Sequence, residues 1–464
     1  MPMMSEVSAL ERATEKMRAA GVPDRAIDVF AYFYGELVEG ATGMIPEDSV
    51  AGLTNVPRAE DVVPAFAGTD AARAAAAKTV VIKLNGGLGT TMGLERAKSL
   101  IPVRDGWSFL DVIAAQVKHV RSTLDVALPI VFMNSFATHD DTMAALADHD
   151  LAVGDLPLAF LQNQEPKLLL DDLTPVSWPA DPRLEWCPPG HGDLYTALET
   201  SGVLRALLDA GYRYATVSNS DNLCAVPDPA MMAWFAASGA PFAMEVCRRT
   251  AADVKGGQLV VRRSDGRLVL RETAQTPDED LQYAADITRH RYFNTNSLWF
   301  DLEQLAATLA ERNGVLGLPL IRNVKTVDPT DPSTPQVVQI ESAMGAAIEV
   351  FEGAVAIEVD RSRFLPVKST GDLLVLRSDV YELGSDGVLQ AVADPPLVKL
   401  DPNYFKTIAD FEARIPLAPS LRDAHSFTVD GDWSLGSDVV VTGDVRLEDD
   451  GSRQHVPDGA RLLG

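Results

Sequence analysis

Apolar residues recur three, four or seven positions apart through residues 5–40, which is the period of an amphipathic helix. The positions that carry this pattern are Val7, Leu10, Met17, Ile27, Phe30, Phe33, Tyr34 and Leu37. Residues 40–64 are richer in Gly, Pro and polar side chains, and residues 70–77 are rich in Ala. The pattern therefore predicts a helical N-terminal segment, residues 1–75, that includes a linker.

From residue 78 onward, apolar runs of strand length alternate with amphipathic helical patterns. The runs predict strands at 80–84, 128–133, 158–162 and 214–218, and the patterns predict helices at 109–124, 139–147, 193–208 and 229–238. Repeated βα units of this kind predict an α/β fold with a central, mostly parallel sheet and helices on both faces. Later runs at 258–263 and 267–271 flank Ser264-Asp265-Gly266, which predicts an antiparallel hairpin. A further apolar helical pattern at 342–351 contains Gly345.

The end of the chain has a different period. Apolar residues six positions apart alternate with glycines, and they are Val429, Leu435, Val441 and Leu447. A six-residue period is typical of a hexapeptide parallel β-helix, although an ordinary β-meander also fits so few coils. We expect a short β-helix at the end of a C-terminal domain, residues 381–464, that follows a large α/β domain, residues 76–380.

The net charge of the chain limits the classes of molecule that it is expected to bind. The chain has 464 residues, of which 40 are basic and 66 acidic, so its formal net charge is −26. This length allows two or three domains, and the acidic balance argues against nucleic acid or an anionic membrane as partner. A phosphate ligand would need a local cluster of cations. Two clusters are present, namely Lys83, Arg96 and Lys98, and Arg361, Arg363 and Lys368.

The cysteines and the apolar runs of the sequence indicate the cellular compartment of the protein. The three cysteines, Cys187, Cys224 and Cys247, have no C-x-x-C spacing, so neither a disulfide framework nor a zinc site is expected. The first twenty residues lack the basic region and apolar core of a signal peptide. No apolar run approaches the roughly 20 residues that cross a bilayer. We therefore expect a reducing, cytoplasmic location.

A glycine-rich stretch follows the first predicted strand of the α/β region. It reads Leu84-Asn85-Gly86-Gly87-Leu88-Gly89-Thr90-Thr91-Met92-Gly93, with Lys98 five residues further on. Glycines let the backbone approach a ligand closely and direct several N–H groups at one anion, and Lys98 adds a cation suited to phosphate. A flexible loop is the alternative, but the preceding strand and the lysine favour a phosphate-binding loop. The spacing fits neither a Walker A motif nor the G-x-G-x-x-G fingerprint, so neither a P-loop kinase nor a Rossmann dehydrogenase is supported.

Two polar turns are further candidates. Pro188-Pro189-Gly190-His191-Gly192-Asp193 holds His191 at a predicted helix start, where an anion or a sugar hydroxyl could bind, although a plain capped helix start is equally consistent. Asn219-Ser220-Asp221 follows the strand predicted at 214–218. In a parallel sheet Asp221 shares the ligand-binding edge with the glycine loop, and a carboxylate there suits one ligand position on Mg²⁺. The alternative for Asp221 is a turn-forming residue.

The remaining candidates are weaker. Lys255-Gly256-Gly257, Glu272 and Asn294-Thr295-Asn296 could each contact sugar hydroxyls, but such residues are also typical of turns and strand ends. The segment Arg361-Ser362-Arg363-Phe364-Leu365-Pro366-Val367-Lys368 places three cations around an apolar centre. A solvated basic face is the alternative, but a buried centre would hold Lys368 at the edge of the core.

In this order, the segments resemble the eukaryotic-type UTP–glucose-1-phosphate uridylyltransferases from about residue 78 to 400, and more weakly beyond. The most specific blocks are Lys83-Leu84-Asn85-Gly86-Gly87-Leu88-Gly89-Thr90, Met133-Asn134-Ser135-Phe136, Val254-Lys255-Gly256-Gly257, Phe293-Asn294-Thr295-Asn296 and 361–368. One stretch departs from the family pattern. Leu161 stands where the family often has Asn, and Asn163, Gln164 and Glu165 replace a basic, aromatic sequence.

The resemblance implies a Rossmann-like, GT-A-like nucleotidyltransferase domain at 76–380 and a left-handed C-terminal β-helix. The implied reaction transfers UMP from UTP to α-D-glucose 1-phosphate, gives UDP-glucose and pyrophosphate, and uses Mg²⁺. The implied nucleotide-binding residues are Leu84, Asn85, Gly86, Gly87, Lys98, Gln162, Gly190, Asp221 and Lys368. The implied sugar-phosphate residues are Gly86, Gly87, His191, Asn219, Ser220, Asp221, Gly257, Glu272, Asn294 and Asn296. Asp221 is implied as the metal ligand, and Lys98 and Lys368 as the catalytic lysines.

Three other interpretations stay open. The first is a UDP-sugar pyrophosphorylase of broader specificity. The second is a glycosyltransferase on a similar sheet, which usually carries a D-x-D metal motif, but the nearest strand-end candidate, Asp221, lacks the second Asp because position 223 is Leu. The third is a non-catalytic nucleotide-sugar sensor, which is disfavoured because Asp221, Lys98 and Lys368 are all retained. For assembly, monomer and dimer are the expected states.

Overall fold

The computed structural model of the chain describes residues 8–89, 92–94, 96–250, 253 and 256–464. It is a mixed α/β fold with a large central sheet, as predicted. The chain divides into two compact units. The first comprises Met1–Ile82, Gly154–Val217 and Pro229–Asp360, and the second comprises Lys83–Val153, Ser218–Asp228 and Arg361–Gly464.

Helices α1–α14 occur in chain order. They are Ala9–Ala19, Asp24–Val38, Ala59–Val62, Asp70–Ala76, Phe109–Leu124, His139–Leu146, Leu194–Thr200, Val203–Asp209, Pro229–Ser238, Leu281–Ala284, Leu302–Glu311, Thr370–Arg377, Pro402–Phe405 and Ile408–Arg414. The first two match the predicted N-terminal helices, and they bury Met17, Ile27, Phe30, Phe33 and Tyr34. Among the described residues, no helix is long and apolar enough to cross a membrane.

Strands β1–β25 are numbered in the same way. They are Val50–Gly52, Thr79–Asn85, Pro102–Arg104, Trp107–Ser108, Ile130–Asn134, Ala159–Leu161, Glu165–Pro166, Leu168–Leu169, Trp186–Cys187, Tyr214–Asn219, Phe242–Arg248, Gln258–Arg262, Leu268–Arg271, Tyr292–Asp301, Ile321–Thr326, Gln336–Glu341, Val355–Glu358, Tyr381–Leu383, Leu389–Ala391, Leu397–Leu400, Ser420–Val429, Trp433–Leu435, Val440–Leu447, Gln454–Val456 and Arg461–Leu463. The four strands predicted at 80–84, 128–133, 158–162 and 214–218 correspond to β2, β5, β6 and β10. The predicted hairpin is β12 and β13, which pair antiparallel.

In the first unit the central sheet has the strand order β1-β12-β14-β10-β2. The long strand β14 runs antiparallel to β10, β11 and β12, and β11 pairs parallel with β17. Strands β2 and β10 run parallel to each other. At one end Tyr214 donates to the carbonyl of Lys78, and at the other, within the second unit, Ser220 donates to the carbonyl of Leu84. The carboxyl ends of β2 and β10 therefore lie side by side, as the ligand-binding edge requires.

The C-terminal part of the second unit contains parallel strands. They follow the order β20-β21-β23-β25, and β22 pairs parallel with β24. The four residues of the six-residue pattern, Val429, Leu435, Val441 and Leu447, are buried. Val429 lies opposite Leu447, eighteen positions later in the chain. Paired positions in the neighbouring strands β21 and β23 are thus separated by three six-residue repeats along the chain.

The structure differs from the predicted elements at three places. The single helix predicted at 193–208 is two helices, because Gly202 takes a left-handed conformation with φ of 77° between α7 and α8. The pattern at 342–351 forms a 3₁₀ helix, Met344–Glu349, rather than an α-helix. The predicted linker contains β1, which extends the central sheet by pairing with β12.

A buried ionic cluster holds the β1 region of the first unit. Arg271, at the end of β13, has no solvent exposure and donates from Nη1 to Oε2 of Glu47 at 2.6 Å. Oε1 of Glu47 also pairs with Arg289 at 2.6 Å and with Nε2 of His290 at 3.0 Å. Burial lowers the pKa of His290, with Glu47 acting in the opposite direction. The charge of Arg271 is thus compensated inside the protein by Glu47, and the carboxylate of Asp280 lies 3.6 Å from its Nη2.

We expect Arg271→Met to lower the free energy of unfolding by about 1.5–3 kcal/mol, because it removes a charge-assisted hydrogen bond from the buried carboxylate of Glu47, which keeps Arg289 as its remaining cationic partner. Urea denaturation measures this change. Arg205→Met is the matched control, since Arg205 and its partner Asp209 have side chains 79% and 57% exposed. That control should change stability by less than about 1 kcal/mol. Equal, small changes in both variants would contradict the structural role of the Arg271–Glu47 pair.

Candidate functional site

The base of the glycine loop is fixed by buried hydrogen bonds in the second unit. The side chain of Asn85, at the end of β2, donates to Oδ1 of Asn134 and to Oγ1 of Thr142, both at 2.9 Å. Its own Oδ1 accepts from Oγ of Ser220 at 3.0 Å, and Ser220 also donates to the carbonyl of Leu84 at 2.8 Å. The predicted block around Asn134 therefore supplies a hydrogen bond that fixes the end of β2, from which the glycine loop begins. Two predicted nucleotide-site residues, Leu84 and Asn85, thus contact the predicted phosphate-site residue Ser220.

Lys98 and Asp221 meet directly. Nζ of Lys98 donates to Oδ2 of Asp221 at 2.7 Å, and it also donates to the carbonyl of Val367. The backbone of Lys98 is tied to the loop, because its N–H donates to the carbonyl of Gly87 at 3.2 Å. Gly89 has φ of 65°, and a Cβ there would lie 3.4 Å from the Lys98 side chain. Its left-handed φ, which residues with a Cβ rarely adopt, is what favours glycine at this position.

The basic segment 361–368 lies along the turn that carries Asp221. Val367 donates to the carbonyl of Asp221 at 3.2 Å, and Leu365 donates to Oδ1 of Asn222 at 2.9 Å. Val367 is fully buried, as the apolar centre predicted, whereas Lys368 is exposed and its N–H donates to Asp372 at 2.9 Å. Asn222, which the sequence analysis did not single out, makes this connection.

The surroundings of Asp221 fit a bound divalent cation. Its Oδ1 is buried and has no hydrogen-bond partner in the described part of the chain. Among those same residues, no group of three or more His, Cys, Asp or Glu forms a metal cluster. A single carboxylate with one uncommitted oxygen is compatible with Mg²⁺, which usually takes one or two protein carboxylates and completes its shell with water and phosphate oxygens.

In the first unit, the turn around His191 packs on residues 342–344. Gly190 has φ of 77°, and a Cβ there would lie 2.5 Å from the carbonyl oxygen of Ser342. Gly192 donates to the same carbonyl at 2.8 Å, and the N–H of Met344 donates to Nδ1 of His191 at 2.9 Å. Because Nδ1 accepts this bond, neutral His191 carries its proton on Nε2. The start of the 3₁₀ helix Met344–Glu349 therefore fixes this turn and the orientation of the His191 ring. The sequence pattern had predicted an α-helix in this segment.

The predicted glucose residues also come together in the first unit. A Cβ on Gly257 would lie 2.6 Å from the carboxylate of Glu272, and the carbonyl of Gly257 accepts from the N–H of Asn294 at 2.9 Å. Asn294 donates from Nδ2 to Oδ1 of Asn296 at 2.8 Å, and Asn296 has a left-handed φ of 56°. A Cβ on Gly345 would lie 3.0 Å from Nδ2 of Asn294. The short 3₁₀ helix thus contacts both the His191 turn and the Asn294 strand.

Gln162, the remaining predicted residue, directly follows β6 and is half-buried. The next residue, Asn163, points to the start of α7 and donates from its backbone and side chain to the carboxylate of Asp193. Burial raises the pKa of Asp193 to about 7, and the two hydrogen bonds from Asn163 act in the opposite direction. The sequence analysis named Asn163 only as a departure from the family pattern and Asp193 only as part of a turn.

The predicted residues are therefore divided between the two units. The second unit brings together Leu84, Asn85, Gly86, Gly87, Lys98, Asn219, Ser220, Asp221 and Lys368, and the first contains Gln162, Gly190, His191, Gly257, Glu272, Asn294 and Asn296. Thr90, Thr91, Val254 and Lys255, which belong to the predicted motifs, lie outside the described residues.

Comparison with known proteins supplies the family. The model of the UTP–glucose-1-phosphate uridylyltransferase family matches residues 38–442. The uridylyltransferase of this name from Hordeum vulgare is 39% identical over 425 residues, which cover 90% of this chain and 85% of the relative.

Solved structures agree with this match. A variant of the Leishmania major UDP-glucose pyrophosphorylase, in complex with UDP-glucose, is 41% identical with a TM-score of 0.91 and covers 99% of both chains. The Trypanosoma brucei UDP-glucose phosphorylase is 40% identical with a TM-score of 0.88 and covers 98% of this chain and 99% of its own. The chain belongs to the UTP–glucose-1-phosphate uridylyltransferase family.

Proposed function

We propose that this protein transfers UMP from UTP to α-D-glucose 1-phosphate, giving UDP-glucose and pyrophosphate in a reversible reaction. The observation that carries the proposal is the arrangement of Lys98, Asp221 and the 367–368 segment beside a glycine loop in a chain of this family. An oxygen of the sugar phosphate attacks the α-phosphorus of UTP, and the bond to the pyrophosphate oxygen breaks. The attacking oxygen is already anionic, so the chemistry needs alignment and charge neutralisation rather than an activated side chain.

The proposed phosphate roles belong to the second unit. Leu84 to Gly87 hold the nucleotide, and the glycines let the loop backbone donate to phosphate oxygens. Lys98 binds the leaving pyrophosphate, and Lys368 binds the reacting phosphates. Asn219 and Ser220 contact the sugar phosphate. Because the chain carries a net charge of −26, these local cations and N–H groups are what make phosphate binding favourable.

Mg²⁺ is the proposed cofactor, and Asp221 is its proposed ligand. The support is the uncommitted, buried Oδ1 of Asp221. When bound, the metal ion would neutralise charge on the phosphate oxygens. Oδ2 of Asp221 keeps Lys98 at 2.7 Å, so this carboxylate also holds the lysine in the site.

The proposed base and sugar roles belong to the first unit. Gln162 and Gly190 contact the uracil and ribose, and His191 donates to the glucose phosphate. Gly257, Glu272, Asn294 and Asn296 bind the glucose hydroxyls. Support comes from the close approach of Gly257 to Glu272 and from the asparagine pair, which together hold several polar groups near one point. Amides and a carboxylate supply the donors and acceptors that sugar hydroxyls require.

Two finer points of architecture belong to the same proposal. The eighteen-position spacing of Val429 and Leu447 corresponds to three hexapeptides, the length of one coil of a left-handed parallel β-helix. We also propose the division into an N-terminal helical segment at 1–75, a catalytic domain at 76–380 and a C-terminal domain at 381–464, in a protein that is a monomer or a dimer.

Pyrophosphate release is the first test. We expect release only when UTP, glucose 1-phosphate and Mg²⁺ are all present, which is measured with a coupled pyrophosphate assay that omits each component in turn. Galactose 1-phosphate and N-acetylglucosamine 1-phosphate in place of glucose 1-phosphate test for broader sugar specificity. Absence of release, together with tight UDP-glucose binding, would instead indicate a sensor.

Lys368→Ala should lower kcat by about 10²–10³-fold, because it removes a charge that stabilises the reacting phosphates. UTP affinity, measured by calorimetry, should fall less than about tenfold, since the glycine loop remains. Lys118→Ala is the matched control, because Lys118 is an exposed lysine on α5 of the same unit. A wild-type kcat in Lys368→Ala would remove this residue from the mechanism.

Asp221→Asn preserves the shape of the side chain but removes the charge that binds both Lys98 and the proposed metal ion. We expect kcat/KM to fall by about 10²-fold or more, and the Mg²⁺ concentration for half-maximal rate to rise. Rates measured over a Mg²⁺ series, with EDTA as the zero point, check both effects. An unaltered Mg²⁺ dependence would contradict the assignment of Asp221 as the ligand.

A further inference from the structure

A buried side-chain pair joins the segment after β6 to the turn before α7, within the first unit. The N–H of Asn163 donates to Oδ2 of Asp193 at 2.6 Å, and Nδ2 of Asn163 donates to Oδ1 at 2.8 Å. Asp193 is 5% exposed and Asn163 is 8% exposed, so solvent does not compete for these bonds. One carboxylate therefore anchors both the backbone and the side chain of Asn163.

The pair lies beside residues that the proposed function assigns to the nucleotide. Gln162, the proposed uracil residue, directly precedes Asn163, and it lies between the short strands β6 and β7. Gly190 and His191 precede Asp193 in the turn that packs on Ser342 and Met344. The backbone of residues 342–344 thus holds the Gly190 turn in place. The Asn163–Asp193 hydrogen bonds connect the same turn to the segment that carries Gln162.

The two hydrogen bonds from Asn163 favour the ionised form of Asp193, whose pKa burial raises to about 7. Glu165 also lies in this region, where burial and the neighbouring Asp193 and Glu341 raise its pKa well above the usual range. A cavity of about 30 Å³ borders Asn163, Glu165, Asp193 and Ser342, and Oε1 of Glu165 is buried without a hydrogen-bond partner in the described residues. Most of the remaining lining is apolar and includes Phe30, Phe33 and Leu316.

We propose that Asn163 and Asp193 are positioning residues that fix Gln162 relative to the Gly190–His191 turn and thereby set the affinity and base selectivity for UTP. The inference rests on the proposed function, because Gln162 and Gly190 are assigned to the nucleotide there. Neither Asn163 nor Asp193 contacts the reacting phosphates in this scheme. Their loss acts on nucleotide binding rather than on the chemical step.

Asp193→Asn is the first variant, because an amide has one acceptor oxygen where the carboxylate has two. One N–H group of Asn163 then faces an N–H donor, and the lost charge-assisted bond is worth about 1.5–3 kcal/mol. We expect the KM for UTP to rise about 10–100-fold. The kcat at saturating UTP should change much less, and the ratio of kcat/KM for UTP to that for CTP should fall.

The exchange of the two residues, Asn163→Asp with Asp193→Asn, is the rescue variant. The amide at position 193 would still accept from the backbone N–H of residue 163, and it would donate to the new carboxylate, so both hydrogen bonds are restored and only the side-chain bond is reversed. We expect the double variant to regain most of the UTP affinity and the selectivity over CTP. Asp155→Asn, an exposed change in the same unit, is the matched control.

The outcomes separate this inference from the proposed function. A wild-type protein that releases no pyrophosphate would overturn the proposed function and, with it, the inference. An active wild type whose Asp193→Asn variant keeps its KM and its selectivity would overturn the inference alone. A lower kcat with an unchanged KM and ratio would also overturn it, because a loss of folded protein has that signature. An exchange variant that is folded, by its melting temperature, but not rescued would count against the pair as well.

Discussion

The ion pair between Lys98 and Asp221 is the interaction on which the proposed phosphate-binding part of the second unit depends. A chain with a net charge of −26 can bind polyphosphates only where cations are concentrated. Lys98 is placed there by three contacts that involve different segments: the carbonyl of Gly87, the carboxylate of Asp221 and the carbonyl of Val367. The glycine loop, the turn after β10 and the basic segment therefore form one structure around one ammonium group.

This structure needs a rigid base, and buried polar residues provide it. Lys83 has no solvent exposure, and its Nζ donates to Oγ of Ser218 at 2.8 Å and to the carbonyl of Ala225 at 3.1 Å. Asn85 commits both of its side-chain N–H groups to neighbouring polar residues. Unpaired groups of this kind would be costly to bury, so their hydrogen bonds restrict β2 and the turn of Asp221 to one relative arrangement.

Much of the fold was predictable because its signals are local. The strand β2, helix α5 and the buried residues Val429 and Leu447 follow from apolar period alone, and the glycine loop follows from residue type. The break at Gly202 and the 3₁₀ helix Met344–Glu349 were not predictable, because both keep a helical apolar pattern and differ only in backbone conformation. The proximity of Gly257 to Glu272 required the pairing of β12 with β13, which only the hairpin turn signalled.

The Asn163–Asp193 pair could not be predicted from patterns in the sequence. Residues that carry chemistry must present a particular group to a ligand, so lysines, glycines and carboxylates at fixed places can be recognised in a sequence. A positioning residue needs only a complementary partner, and two residues can change together as long as their hydrogen bonds persist. Asn163 differs from the family pattern, yet its donors find the carboxylate thirty positions away. Neither residue therefore carries a sequence signal that identifies its partner, and only the three-dimensional structure shows the contact.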